Sequence, residues 1–329
     1  MKTGKLPENV LKRSVFKMIK HRREEVLIRP GVGLDCTVTK FGADDLVVMS
    51  TDPITGTDSN LGKLAVNVTA NDLASNGATP VGLMVTALLP VDIEEKDIKA
   101  LMKEIDDECA ILDMEVMGGH TEITPVVNQI VLSVAGVGKI NKDKMLCADR
   151  IKPGFEIVVT KAIGLEGTSI IAQAKEEQLV KRYPKTLVEK AKSFVDEISV
   201  VKESQIAVEH GAVFMHDVTE GGIYGALWEV ASAAGLGLEV YLKKIPVRQE
   251  TIEICDFVDA DPYKLISSGS MLIVTEHGNE LVNALNSQGI DGAVIGSFVS
   301  GNDKIVINED EKRYLEPPAV DELYAALDK

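Results

Sequence analysis

The chain has 329 residues, 45% of them hydrophobic and 26% charged, with a formal net charge of −16. That length suggests roughly two domains of about 150 residues with a sizeable core. The acidic balance excludes general binding to nucleic acid or to an acidic membrane, because a phosphate backbone is held by clustered Lys and Arg. No stretch approaches the roughly 18 uninterrupted apolar residues of a membrane span, and the start MKTGKLPENVLKRSV has no apolar signal region, so a cytoplasmic protein is expected. Cys36, Cys109, Cys147 and Cys255 form no CxxC pair, and the histidines form no HExxH or short HxH pattern. Reduced thiols and no catalytic zinc are therefore expected.

From Lys12 to Arg29 the chain is basic, and Leu11, Val15, Met18 and Ile19 have helical spacing, which predicts a helix with a solvated charged face. After the loop RPGVGLDC a hairpin is predicted, with strands over 36–40 and 46–50 and a turn over 42–45. Asp35 stands at its entry and Asp52, in STDPITG, at its exit. Leu61, Leu64, Ala65, Val68 and Leu73 then predict a helix stopped by Gly77 and Pro80, with Asp72 near its end. A buried strand follows over 81–90. Asp92 and Glu95 offer a capping box for a helix carrying Ile98, Leu101, Ile105, Cys109 and Leu112 on one side. The segment GGHTEITP reads as a loop before the strand IVLSVAGVG. The polar stretch 141–154 marks a boundary near Arg150, giving domains 1–150 and 151–329.

The second half repeats the mixed pattern. EIVVT runs into the glycine turn AIGLEGTSI, a long polar helical region covers about 176–208, and the short strand AVFMH delivers Asp217. GGIYGALWEVASAAG predicts a helix ending at Gly235, and the strand 271–275 precedes a helix from Gly278, a short strand at 293–296 and a polar tail. His216 and Asp217, adjacent on a strand end, are expected to point to opposite faces and not to act as a dyad.

Asp35, Asp52, Asp72 and Asp217 each sit at a strand end or beside a glycine-rich turn. Any one of them alone reads as a turn former or helix terminus. Together they suit a hard-metal site, since Mg²⁺ takes oxygen ligands and brings phosphate oxygens with it. GxxxxGK[ST], a GxGxxG following a strand and a GxSxG elbow are all missing, which removes P-loop, Rossmann and serine-hydrolase chemistry. If a nucleotide binds, the candidate cradles are GGHTE and TEGG, the latter opening a helix whose amides and dipole favour an anion.

The pieces PGVGLDCTV, VVMSTDPITG, GKLAVNVTANDLASNGATPVGLM, GGHTE, KPGFEIVVTKAIGLEGTSI, HDVTEGGIYGALWEVA and DPYKLISSGSMLIV lie in one order over nearly the whole chain. In that order they resemble the aminoimidazole ribonucleotide (AIR) synthase superfamily, and most of all its hydrogenase maturation branch. The resemblance implies an α/β (α+β) two-domain PurM-like fold. Its N-terminal domain would pair its sheet with a second subunit in a barrel-like homodimer, and its C-terminal domain would cover the cleft. It also implies use of ATP with Mg²⁺, and transfer of the terminal phosphoryl group to an oxygen of a small-molecule or protein-borne substrate. Asp35, Asp52, Asp72 and Asp217 would hold the metal, with Asp52, Asp72 and Asp217 catalytic. Asp35, Lys63, Asn71, Gly118, Gly119, His120, Thr121, Glu122 and Glu220 would contact ATP.

The chain also departs from its relatives. Hydrogenase maturation proteins end in a tail with a final cysteine, whereas the sequence closes on PPAVDELYAALDK and its last cysteine is Cys255, so cyanide-forming activity is not expected of this chain alone. Leu34-Asp35 replaces an acidic pair, and His120 stands where many relatives carry Asp or Glu. MKTGKLPEN lacks the reactive Cys and Lys of selenophosphate synthetases. These departures leave a second reading open, a noncatalytic nucleotide-binding or maturation scaffold.

Overall fold

Residues 3–31, 36–54, 60–317 and 320–328 are described by a computed structural model. The chain divides into two units, Met1–Ala74 with Ala78–Lys144, and Ser75–Gly77 with Met145–Lys329.

The first unit contains β1 (Gly4–Lys5), β2 (Val26–Ile28), β3 (Val38–Thr39), β4 (Asp45–Ile54), β5 (Thr79–Leu89), β6 (Glu115–Ile123) and β7 (Val131–Asn141), with helices α1 (Glu8–Leu11), α2 (Leu61–Ser75) and α3 (Glu95–Ile111). Five strands form one sheet in the order β1-β6-β5-β7-β4. β5 and β6 are parallel and joined through α3, while β7 runs antiparallel to both β5 and β4. Alternation along the strands separates the two faces. Val85, Ala87, Leu89, Leu132 and Val134 are buried, whereas Val47, Met49 and Met84 are 52%, 69% and 37% exposed. The buried face carries α2: a Cβ at Gly136 of β7 would lie 2.4 Å from Thr69 Cγ2 and 3.1 Å from Leu73 Cδ1. α3 buries the stripe Ile98, Leu101, Met102, Ile105 and Cys109, as its periodicity requires.

Several expectations are corrected here. Strand β3 pairs with β2, and β4 pairs with β7, so the hairpin over 36–50 does not form. GGHTE belongs to strand β6 rather than a loop. The capping box of α3 uses Glu94 and Asp97, with the Glu94 amide donating to Asp97 Oδ2 at 3.1 Å, in place of Asp92 and Glu95. The basic segment is helical only over a π-helical turn at Lys12–Phe16, which continues α1.

From that turn onward the basic segment is a strap held by carboxylates. Arg13 forms a two-point pair with Glu95 at 2.6 and 2.5 Å. Glu115, fully buried, accepts from the Arg23 amide at 2.5 Å and from the Arg29 Nε at 2.7 Å, with Arg22 Nη1 at 3.4 Å. Glu25 takes Arg23 Nη2 at 2.7 Å and Lys139 Nζ at 2.8 Å. Helical spacing of four apolar residues was a weaker constraint than these pairs, because helix propensity yields to tertiary contacts.

The second unit holds a seven-stranded sheet of β8 (Glu156–Thr160), β9 (Ala212–Asp217), β10 (Gly237–Tyr241), β11 (Met271–Thr275), β12 (Gly292–Val299), β13 (Lys304–Asn308) and β14 (Glu311–Tyr314), ordered β14-β13-β10-β12-β8-β11-β9. Its helices are α4 (Leu165–Ala174), α5 (Glu176–Leu179), α6 (Lys185–Lys192), α7 (Val201–Glu209), α8 (Gly222–Ala234), α9 (Gln249–Val258), α10 (Gly278–Ser287) and α11 (Glu322–Asp328). One core joins α8 to the sheet through Ile223, Leu227, Leu272 and Phe298. A second packs α4, α6, α9 and α11 through Ile171, Val188, Ile254 and Leu323. The polar helical region 176–208 consists of α5, α6 and α7 with a 3₁₀ helix at Ser193–Glu197 between the last two, and the expected polar tail carries β13, β14 and α11. Among the described residues no helix is long and apolar enough to cross a membrane.

Two outcomes follow for the strap. Glu115→Ala removes the buried acceptor shared by the Arg23 amide and the Arg22 and Arg29 guanidiniums and should lower stability by about 3 kcal/mol, read as a reduced urea midpoint. The hydrogen bond from Arg23, opposed by burial and reinforced by Lys139, brings the Glu25 carboxyl down from 4.5 to about 2. A depressed carboxylate stabilises the fold above its unfolded pKa and loses that contribution as pH falls. Acid titration from pH 4.5 to about 2 should therefore destabilise the wild type more steeply than Glu25→Gln.

Candidate functional site

Asp52 lies on β4 and Asp72 in the last turn of α2. Because α2 is laid closely on β7 at Gly136, Asp72 reaches the neighbouring strand β4. There Ser50 donates to Asp72 Oδ2, and its Oγ lies 3.4 Å from Asp52 Oδ2. Ser50 and Asp52, two residues apart on a strand, share the helix-covered face. Two carboxylates thus converge on one hydroxyl, an all-oxygen donor group suited to a hard cation. Asn71 beside Asp72 is buried. Lys63 occupies the first turn of α2, roughly 13 Å of helix rise from Asp72, and its amide donates to Glu104 Oε1 at 3.2 Å.

GGHTE is built differently. Gly119 has φ +139, and a Cβ there would sit 1.9 Å from the Val85 carbonyl oxygen, so the position excludes every side chain. The β5–β6 register shifts between Leu83 and Met84, next to this point. His120 and Glu122 lie on the open face, 43% and 36% exposed, with His120 Nε2 3.1 Å from Glu122 Oε2. Thr121 is buried on the other face. Register carries Asp52 across Val134 and Val85 to Gly119, three strand spacings or on the order of 14 Å. The first unit therefore brings Asp52 and Asp72 together and holds the His120–Glu122 pair apart from them, on the opposite face. A cavity of about 290 Å³ adjoins Gly118, Gly119, His120 and Thr121, walled by Phe16, Met102 and Met117 and reached by Cys36.

In the second unit Asp217 ends β9, is 5% exposed, and its Oδ2 has no hydrogen-bond partner. His216 does not point away from it: His216 Nδ1 lies 3.8 Å from Asp217 Oδ1, and its Nε2 2.8 Å from Glu229 Oε2. Burial works against the charged imidazole, but the hydrogen bonds and charges of Asp217 and Glu229 outweigh it and raise its pKa. The two residues are coupled electrostatically, contrary to expectation, although both belong to β9, His216 opposite Leu272 and Asp217 opposite Met271.

Glu166, which the sequence did not single out, is the most unusual charge of this unit. It sits in the first turn of α4, is 7% exposed, and its Oε2 has no partner. Burial, together with the nearby charges of Asp321 and Asp217, raises its pKa against the opposing hydrogen bonds of Ser268. The only trace in the sequence is a glutamate just after the glycine turn of AIGLEGTSI, a place where acids are common for reasons of helix dipole alone.

TEGG does open α8, and Gly221 and Gly222 have φ +83 and +62. A Cβ at Gly222 would lie 2.6 Å from the Tyr263 carbonyl oxygen. The Gly221 amide is already taken, donating to Asp321 Oδ2 at 2.7 Å, while Asp321 Oδ1 accepts from the Leu323 amide at 2.8 Å. The chain's own carboxylate thus fills the place expected for a phosphate. Glu220 is exposed and interacts with Tyr324. Asp35 lies outside the described residues. Among the described residues no three His, Cys, Asp or Glu side chains are grouped to hold a metal ion.

Residues 33–140 match the AIR synthase related protein N-terminal domain, and residues 152–308 match the AIR synthase related protein C-terminal domain. The carbamoyl dehydratase HypE of Rhodobacter capsulatus is 27% identical over 252 residues, covering 76% of this chain and 69% of that protein. The crystal structure of E. coli HypE superposes with a TM-score of 0.81 at 21% identity, covering 97% of this chain and 100% of that one. A hydrogenase maturation protein HypE solved in complex with ATP superposes with a TM-score of 0.76 at 19% identity, covering 97% and 96%. With both domain types matched in order and the same two-domain PurM-like architecture, the chain belongs to the AIR synthase-related family.

Proposed function

We propose that the chain is a Mg-ATP-dependent enzyme that passes the terminal phosphoryl group of ATP to an oxygen of a small or protein-borne substrate, as a phosphorylation or as the first half of a dehydration. The observation that carries this reading is the convergence of Asp52 and Asp72 on Ser50 in a family one of whose members was solved with ATP. The residues fit the implied group on three counts. The donors are oxygens only, as Mg²⁺ prefers. Asp217 presents a buried carboxylate oxygen without a partner, which a cation would satisfy. Gly119 leaves backbone exposed beside a cavity near the lower end of the sizes small-molecule sites occupy.

When bound, Mg-ATP supplies an activated phosphoryl group and a metal charge that offsets the phosphate oxygens. The protein's part is positional. Asp52 and Asp72 offer carboxylate oxygens from two elements, and Ser50 fixes the direction of Asp72 through its hydroxyl. By resemblance alone, Asp35 and Asp217 are the further candidate ligands of the metal. By resemblance Gly118 to Glu122 would contact the nucleotide, with Gly119 and Thr121 on the face of Asp52 and with His120 and Glu122 on the face turned away from it. Cys109 and Cys255 are buried, which pushes both thiols up, Cys255 to about 12. Neither suits the role of a carrier, and the acceptor is proposed to be a separate molecule. A second copy of the chain is proposed against the open face of the first sheet, where Val47, Met49 and Met84 are exposed in the absence of a partner.

Isothermal titration with ATP and Mg²⁺ tests the reading. Asp52→Ala and Asp72→Ala should each weaken binding at least tenfold, about 1.4 kcal/mol, and Asp217→Asn should suppress phosphate release. Undiminished binding in both alanine variants would overturn the assignment. Wild-type binding without phosphate release over a panel of amides and carboxylates would favour the noncatalytic scaffold.

A further inference from the structure

The second unit contains a cavity of about 350 Å³ between α8, the segment before β11, and β14. Its charged walls are Lys264 and Arg313, and its aromatic walls are Tyr224 and Tyr314. Arg313 and Arg150, both exposed, are the arginines of this unit without a carboxylate pair among the described residues. Arg182 and Arg248 of the same unit each pair with a carboxylate, Asp256 and Glu197. Among the described residues Arg313 has no carboxylate partner; its Nη2 hydrogen-bonds the Tyr224 hydroxyl and its guanidinium lies 5.5 Å from the Tyr224 ring centroid. Tyr224 in turn stacks on Tyr263 at 5.3 Å and 12°. Burial raises the Tyr224 phenol to about 12, with the charge of Arg313 lowering it and that of Asp261 raising it, so the hydroxyl stays neutral between a cation and an anion.

Lys264 likewise forms no ion pair among the described residues. Two acids also line the cavity, but they differ in availability. Asp261 is engaged by its own turn, its Oδ1 accepting from the Tyr263 amide at 3.0 Å, and Glu316 is exposed. Two cations without a carboxylate pair thus face one cavity, beside Asp261 and Glu316. A guanidinium fixed on an aromatic stack is pre-oriented for the planar fork of a carboxylate or for phosphate oxygens. Tyr314, Leu315 and Pro317 supply the apolar side that most small-molecule sites have.

We propose that this cavity binds a small organic anion, a carboxylate or phosphate ester attached to an aromatic or other planar group, with Arg313 and Lys264 reading the charge and Tyr314 covering the ring. The site goes beyond the phosphoryl-transfer reading and is tested without nucleotide or metal, so failure of one leaves the other standing. Benzoate and phenyl phosphate serve as probes, with benzamide as the neutral control. Binding is followed by calorimetry and by the fluorescence of Trp228, the one tryptophan of the chain, one turn along α8 from Tyr224.

Saturable one-to-one binding of at least one anion is expected. Arg313→Gln and Lys264→Gln should each weaken it at least tenfold, and benzamide should bind at least tenfold more weakly. The stronger of the two anions identifies the class. Lys264 and Arg313 are both exposed, and the Lys264 variant tests the site even if Arg313→Gln disturbs the Tyr224 contact. Binding of neither anion at millimolar concentration, equal binding of benzamide, or unchanged affinity in both variants would overturn the proposal.

Discussion

The close approach of helix α2 to strand β7, permitted by the missing side chain at Gly136, is the constraint on which the first unit's site depends. A methyl group there would stand 2.4 Å from Thr69 and 3.1 Å from Leu73. The helix would have to rise or slide, and Asp72, one turn from Thr69, would move with it. Interiors are packed densely enough that such a shift is not absorbed locally. The meeting of Asp72 with Ser50, and through Ser50 with Asp52, is therefore a consequence of how a helix packs on a sheet. The carboxylates are polar groups positioned by an apolar contact.

The second unit places charge by a different route. Glu166 and Asp321 stand at the starts of α4 and α8, where unpaired amides and the helix dipole favour an anion. For Asp321 this works out fully, since both carboxylate oxygens accept an amide. Glu166 and Asp217 each keep one buried oxygen without a partner. Buried polar atoms are rarely left so, and where they are, a ligand or an ion commonly accounts for them. The unit thus combines one satisfied acid with two that are not.

How much of this was legible in the sequence depends on whether a residue's neighbours in space are also its neighbours in the chain. Strand β11 and the end of α8 at Gly235 could be read directly, because an apolar run and a left-handed glycine are local signals. The hairpin over 36–50 could not, since β3 and β4 pair with strands remote in sequence. GGHTE looked like a loop because glycine pairs usually mark turns; here they let β6 shift register beside β5. Asp52 and Asp72 were conspicuous in their motifs, yet nothing in the sequence set Ser50 between them. Glu166 escaped notice because burial of a charge is a tertiary property, and a glutamate early in a helix is ordinary.

The cysteines have a consequence for experiment. Cys109 and Cys255 are buried with raised pKa values and so resist thiol reagents, and Cys147 is half-buried, whereas Cys36 is exposed and reaches the cavity beside GGHTE. A maleimide-linked dye would therefore attach first at Cys36, giving the unmodified chain a built-in reporter at the mouth of that cavity. Occupancy could then be followed as protection from alkylation, without introducing a single substitution.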